Sequence, residues 1–266
     1  MKQENEHRQP VSSDDAKREG KSEEEYKDID AAFTDIIATL RRDKPLRDRV
    51  RDVEEAYVVD EEASATERGI ASLVLGTLRI YREEEEAKKG RPKDTEMILA
   101  GREQLREWML AHRDAVGFHE LSKRLGEAAI VVAPDAERWT EAHIRGIAGE
   151  IAACDALARH TGQRVDFAPR EYDRHDIDLL VKRADGKIFD VQVKTRGYEM
   201  TPEGLGGGSR TVFIEKEKRS IDRVTLEIDG RFLDERYGVA DTALDKRGLT
   251  EIERLAGGHG ALRRSA

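Results

Sequence analysis

Cysteine occurs once in these 266 residues, at Cys154, so no internal disulfide can form and no cysteine-rich zinc site can be built. No stretch approaches the roughly 18 consecutive apolar residues of a membrane span, and none is therefore expected. The opening MKQENEHRQP has no apolar run of the kind a secretory leader carries. These absences together predict a cytoplasmic protein with no membrane association. A basic excess is also missing. The formal net charge is -9, which argues against a general nucleic-acid coat but not against a nucleic-acid enzyme, since a whole-chain sum hides local patches. Charged residues (39%) match hydrophobic ones (38%), so the surface is polar and the core economical.

The apolar pattern divides the chain. Residues 1–27 are polar and aperiodic, and predict a disordered acidic tail. Residues 28–134 predict an α-helical region: Ile29, Phe33, Ile36, Ile37 and Leu40 recur at helical spacing, as do Leu46, Val50, Val53 and Tyr57, and then Ile70, Leu73, Val74, Thr77 and Tyr81. The third helix is expected to fray in REEEEAKKGRP, where Gly90 and Pro92 mark a break. REQLREWMLAHRD and FHELSKRLG predict two further helices separated by Ala115-Val116-Gly117. That spacing hints at a helix-turn-helix, although helical hairpins are common in any α region. Asp135 is placed to cap a helix that runs to about His160 and ends at Gly162.

After Gly162 the period changes from 3.6 to 2. Residues 135–236 predict a helix followed by a β-rich core, and 237–266 a helix near Thr250 to Ala256 with a tail. TVFIE, RVTLEI and RFL read as strands, and EGLGGGSR as a loop. In HDIDLLVKRADGKIFDVQVKT, residues 175–195, two strands flank Ala184-Asp185-Gly186. Alternate residues of a strand share a face. Phe189, Val191 and Val193 therefore oppose Asp190, Gln192 and Lys194, while Ile177, Leu179 and Val181 oppose Asp176, Asp178 and Leu180. A three-residue turn closed by a left-handed glycine makes Arg183 face Lys187. Counting back sets Asp178 opposite Gln192 and Asp176 opposite Lys194. Loops of two or four residues would mismatch the apolar faces.

The preceding helix carries Glu150 among Gly146, Ile147, Ala153, Cys154 and Leu157. A lone carboxylate on such a surface needs a partner, and a metal or Lys194 is the expected one. Three segments, GEIAACDALARHTG with Glu150, DIDLLV with Asp178 and FDVQVKT with Gln192 and Lys194, together resemble the PD-(D/E)XK nuclease superfamily in its Q-x-K form. The resemblance covers about 50 residues, a fifth of the chain. An acidic residue is commoner at the position of Gln192, and Asp190, on the same face, is placed to compensate.

The resemblance implies an α/β fold, namely a restriction-endonuclease-like mixed central sheet flanked by helices, preceded by the α-helical N-terminal region. It implies Mg²⁺- or Mn²⁺-dependent hydrolysis of phosphodiesters in DNA or RNA, with a homodimer serving two-strand cutting. Asp178, Gln192, the Val193 carbonyl and Glu150 would hold the metal, and Lys194 would position the attacking water. Arg196, Arg210 and Lys216 would contact nucleic acid, or equally lie on a solvated edge. The alternative is a catalytically inactive nuclease-fold module that binds nucleic acid or a protein partner. Asp173, His175 and Asp176 read as a loop lip. His112, His119 and His143 are too irregularly spaced for zinc, and Cys154 is a packing residue.

Overall fold

The helices of the first half begin where side-chain oxygens can satisfy free amides. Ser64 Oγ accepts from the Glu67 amide and the Glu67 carboxylate accepts from Ser64 N–H, opening α3 (Ala65–Lys88). Asp94 accepts from Met97 N–H to open α4 (Thr95–His112). The structure is a computed structural model, and it describes residues 13–173, 177–197, 209–214 and 219–257. Around α3 and α4 stand α1 (Ser13–Leu40), α2 (Leu46–Val53), α5 (Phe118–Ala129) and α6 (Ala136–Thr161).

Three helical expectations need correction. Residues 13–27, expected to be disordered, form the first half of α1, whereas 1–12 lie outside the described residues. The stripe Ile29–Phe33–Ile36–Leu40 is fully buried. Once such a stripe fixes one half of a helix, extension over Glu and Lys costs little. Ser22 Oγ donates to the Asp114 carbonyl (2.5 Å), and Glu25 pairs with His112, which secures the extension. REEEEAK does not fray: α3 continues to Lys88 and stops before Gly90, whose φ is +86°. Asp135 stands at the start of α6 but caps nothing; its Oδ1 accepts from the Tyr81 hydroxyl (3.0 Å).

Gly162, at φ +64°, ends α6 as expected. Among the described residues five strands follow: β1 (Val165–Phe167), β2 (Leu179–Lys182), β3 (Ile188–Arg196), β4 (Ser209–Ile214) and β5 (Arg219–Asp229). The short helix α7 (Arg170–Asp173) joins β1 to β2, and α8 (Lys246–Leu255) follows the sheet. The sheet order is β1-β2-β3-β5-β4, with β3 and β5 parallel and the remaining pairs antiparallel. The fold is therefore α/β with a mixed sheet. RFL is not a strand: Gly230–Phe232 form a 3₁₀ turn, opened by Asp229. The glycine-rich segment and residues 174–176 lie outside the described residues, as do 215–218 and 258–266.

One apolar cluster runs from Ile29 of α1 through α6 and the sheet to Ala256 beyond α8. No break in packing separates the helical region from the sheet. Within the cluster, α6 lies on the face of β3 that carries Phe189, Val191 and Val193. Gly149 permits this approach, because a Cβ there would run into the Thr195 side chain. Among the described residues no helix is long and apolar enough to cross a membrane.

Gly149→Ala should destabilise the fold by about 1–3 kcal/mol through overpacking, despite alanine's better helix propensity, and urea unfolding will read the loss. A second prediction concerns His143. Its ring stacks on Trp139 at 4.8 Å and its Nε2 is shut off from solvent without a hydrogen-bond partner among the described residues. Burial, reinforced by Arg102, pushes its pKa down to about 3. The unfolded chain protonates this histidine below about pH 6.5 while the folded one does not. Stability should therefore fall as pH drops from about 6.5, by up to about 1.4 kcal/mol per unit. Unfolding free energies between pH 5 and 6.5 should be measurably flatter in His143→Phe.

Candidate active site

The β2–β3 hairpin has the register that the hydrophobic pattern specifies. Leu179 pairs with Val191 and Val181 with Phe189. Arg183 N–H donates to the Lys187 carbonyl (2.7 Å), and Gly186 sits at φ +83°. Continuing the register by one residue sets Asp178 opposite Gln192. Asp178 is bound on both sides: its N–H donates to the Val191 carbonyl (3.1 Å), and its own carbonyl accepts from Ala168 N–H (2.9 Å). Its carboxylate Oδ2 accepts from Val193 N–H (2.6 Å). That amide lies past the last paired residue of β2, so the side chain satisfies a ladder donor that would otherwise be unmatched.

Gln192 shares the polar face of β3 and is 7% exposed, with no hydrogen-bond partner among the described residues. Lys194 follows on the same face, exposed and without an ion pair among the described residues. Asp176, expected opposite Lys194, lies outside the described residues, as does His175.

Glu150 does not reach Lys194. It is buried, and its carboxylate is held by two arginines of α4: Arg102 Nη2 donates at 2.6 Å and Arg106 Nη1 approaches to 3.5 Å. The Arg106 guanidinium also lies over the Phe167 ring at 4.5 Å. Helix α6 covers the apolar face of β3, whereas Gln192 and Lys194 occupy the other face. The expectation of a partner for Glu150 was sound, but the partners are guanidinium groups. A buried carboxylate is stable only when such charges and hydrogen bonds replace its water.

Asp190 does not compensate for Gln192 either. It is fully buried with Arg223, whose Nε lies 3.4 Å from Oδ2. Arg196, expected on a phosphate-contacting rim, donates to Glu227 Oε1 at 2.7 Å. Arg210 is on β4, in register with Arg223, but its side chain lies outside the described residues, as does all of Lys216. Cys154 lies half-buried with Sγ 3.7 Å from the Val165 carbonyl, and burial raises its thiol pKa to about 11. It is a packing residue.

Four charged residues at or beside the site escaped sequence reading. Arg102 and Arg106 stand four apart and so share a helix face, which was a usable signal. In β5, Arg223, Thr225 and Glu227 alternate with Val224, Leu226 and Ile228, so a polar row was legible there too. That this row would lie beside Gln192 and Lys194 was not, because only the parallel pairing brings it there.

Among the described residues no three His, Cys, Asp or Glu side chains cluster closely enough to hold a metal ion. Comparison with known proteins gave no matching family model, no matching curated protein and no matching solved structure.

Removing Glu150 should cost about 3–5 kcal/mol, because two guanidinium groups would lose a buried counter-charge. Urea denaturation of Glu150→Ala will show it. Loss of any activity in that variant would therefore reflect folding as much as chemistry.

Proposed function

We propose that this protein is a metal-dependent endonuclease acting on DNA, with a restriction-endonuclease-like core centred on Asp178, Gln192 and Lys194. One observation carries the reading: Asp178 immediately precedes the Leu179–Val191 pair of the hairpin and its carboxylate accepts from Val193 N–H, between Gln192 and Lys194 on β3. The donor set fits Mg²⁺ or Mn²⁺ in kind. Asp178, the Gln192 amide oxygen and the Val193 carbonyl are hard oxygen ligands, which suits an ion that keeps several of its waters. When bound, the ion supplies charge neutralisation at the phosphate and acidifies a bound water.

The chain's own residues supply the rest. Val193 N–H fixes the Asp178 carboxylate in place, so the ligand is positioned before any ion arrives. The Lys194 ammonium, exposed and unpaired among the described residues, is available to a phosphate oxygen or to the attacking water. Glu150 enters as the carboxylate that seats α4 against α6; direct metal contact would require it to exchange both arginines. Two-strand cutting would take two copies of the chain, and a cytoplasmic location accords with the single cysteine.

A second reading, a nuclease-fold module that binds nucleic acid or a protein without cutting, is favoured by the saturated Glu150 and the neutral Gln192. Incubating the full chain with plasmid DNA and Mg²⁺ or Mn²⁺ separates the two. Nicking should occur with metal, disappear with chelator, and fall at least about a hundred-fold in Asp178→Ala and Lys194→Ala. Both variants should keep wild-type circular dichroism. Nicking that survives both substitutions overturns the assignment, whereas DNA binding without nicking in wild type selects the second reading.

A further inference from the structure

Strand β5 brings to the polar face of β3 a second row of side chains. The parallel register pairs Asp190 with Arg223, Gln192 with Thr225, Lys194 with Glu227 and Arg196 with Asp229. Three of these residues are carboxylates, and their surroundings differ. Asp190 is sealed against Arg223, the two being 0% and 2% exposed. Both oxygens of Asp229 are taken by Arg231, at 2.9 and 2.6 Å. Glu227 has a different environment. Its side chain is 4% exposed, yet only Oε1 is bonded, to Arg196, and Oε2 takes no hydrogen bond among the described residues. Arg196 itself is 37% exposed, so solvent weakens its hold on the Glu227 charge.

A buried carboxylate with an unused oxygen therefore stands on the same face as Gln192, itself nine-tenths buried and without a partner among the described residues. Neither the Gln192 amide nor Glu227 Oε2 is among the side-chain atoms sealed from solvent without a partner, so both are open to a hydrated ion. We propose that Glu227 is the second carboxylate of the cation site, supplying from β5 the negative charge that the neutral Gln192 amide does not. It faces the hydrated ion rather than ligating it directly, since its registered neighbour is Lys194 and not Gln192. This role rests on the nuclease reading above. A divalent ion that keeps most of its waters responds to charge beyond its direct ligands, and ligand charge count tunes its affinity. Arg196 then offsets part of the Glu227 charge from its solvent side and competes with the ion for it.

Calorimetric titration of the full chain with Mn²⁺, with and without duplex DNA, tests the proposal. Wild type should bind Mn²⁺, Asp178→Asn should abolish binding, and Glu227→Gln should weaken it about ten-fold or more with the fold intact by circular dichroism. Wild-type affinity in Glu227→Gln, with binding abolished in Asp178→Asn, overturns the role of Glu227 and leaves the nuclease reading standing. Absence of Mn²⁺ binding by wild type removes both. If Glu227→Gln does not fold, Arg196→Gln decides: a several-fold gain in Mn²⁺ affinity supports the proposal, and unchanged affinity overturns it.

Discussion

Gly186, in the left-handed region at φ +83°, lets the Ala184–Gly186 turn close so that Arg183 faces Lys187, and the rest of the candidate site depends on that register. A slip of one residue would turn Gln192 and Lys194 toward α6 and push Val191 and Val193 to the other side. Helix α6 admits only the apolar face, because Gly149 brings its backbone onto Thr195 and its neighbours Ile147, Ala148 and Ile151 are fully buried. The turn and the helix therefore enforce one another: the first sets which residues pair, and the second rejects the alternative.

The opposite face of the sheet is built on a different principle. It carries charge instead of hydrocarbon: Asp190 is buried with Arg223, while the buried carboxylates of Glu227 and Asp229 are held by the partly exposed Arg196 and Arg231. Buried ion pairs are poor sources of stability relative to apolar packing. Their concentration on the strands that carry Gln192 and Lys194 therefore points to a face specified for electrostatics. The pairs also leave an imbalance. Lys194 lacks an ion-pair partner among the described residues, and Glu227 retains one oxygen unused.

The helical half is continuous with this arrangement. Arg102 and Arg106 of α4 neutralise Glu150 of α6, and Arg102 also helps hold His143 in its neutral form. Val116, in the turn between α4 and α5, accepts through its carbonyl from the buried Tyr237 hydroxyl (3.1 Å), tying the first half to the segment after the sheet. A fragment that begins near residue 135 would lose the arginines that make Glu150 tolerable in the interior.

Local pattern determined a large share of this protein. Helical periodicity located α1 through α6, glycine marked the end of α6, and strand alternation with one turn placed Asp178 opposite Gln192, since each depends on residues close in sequence. It failed where local composition misled, as in the polar start of α1 and the acidic end of α3. It failed more consequentially where partners are distant. The arginines that claim Glu150 lie 44 and 48 residues upstream, and Glu227 reaches the polar face of β3 only through a parallel pairing. Periodicity tells which face a residue takes but not what lies across from that face. Only the tertiary structure decided that Glu150 meets guanidinium groups, that Asp190 is spent on Arg223, and that β5 lays a carboxylate beside Lys194.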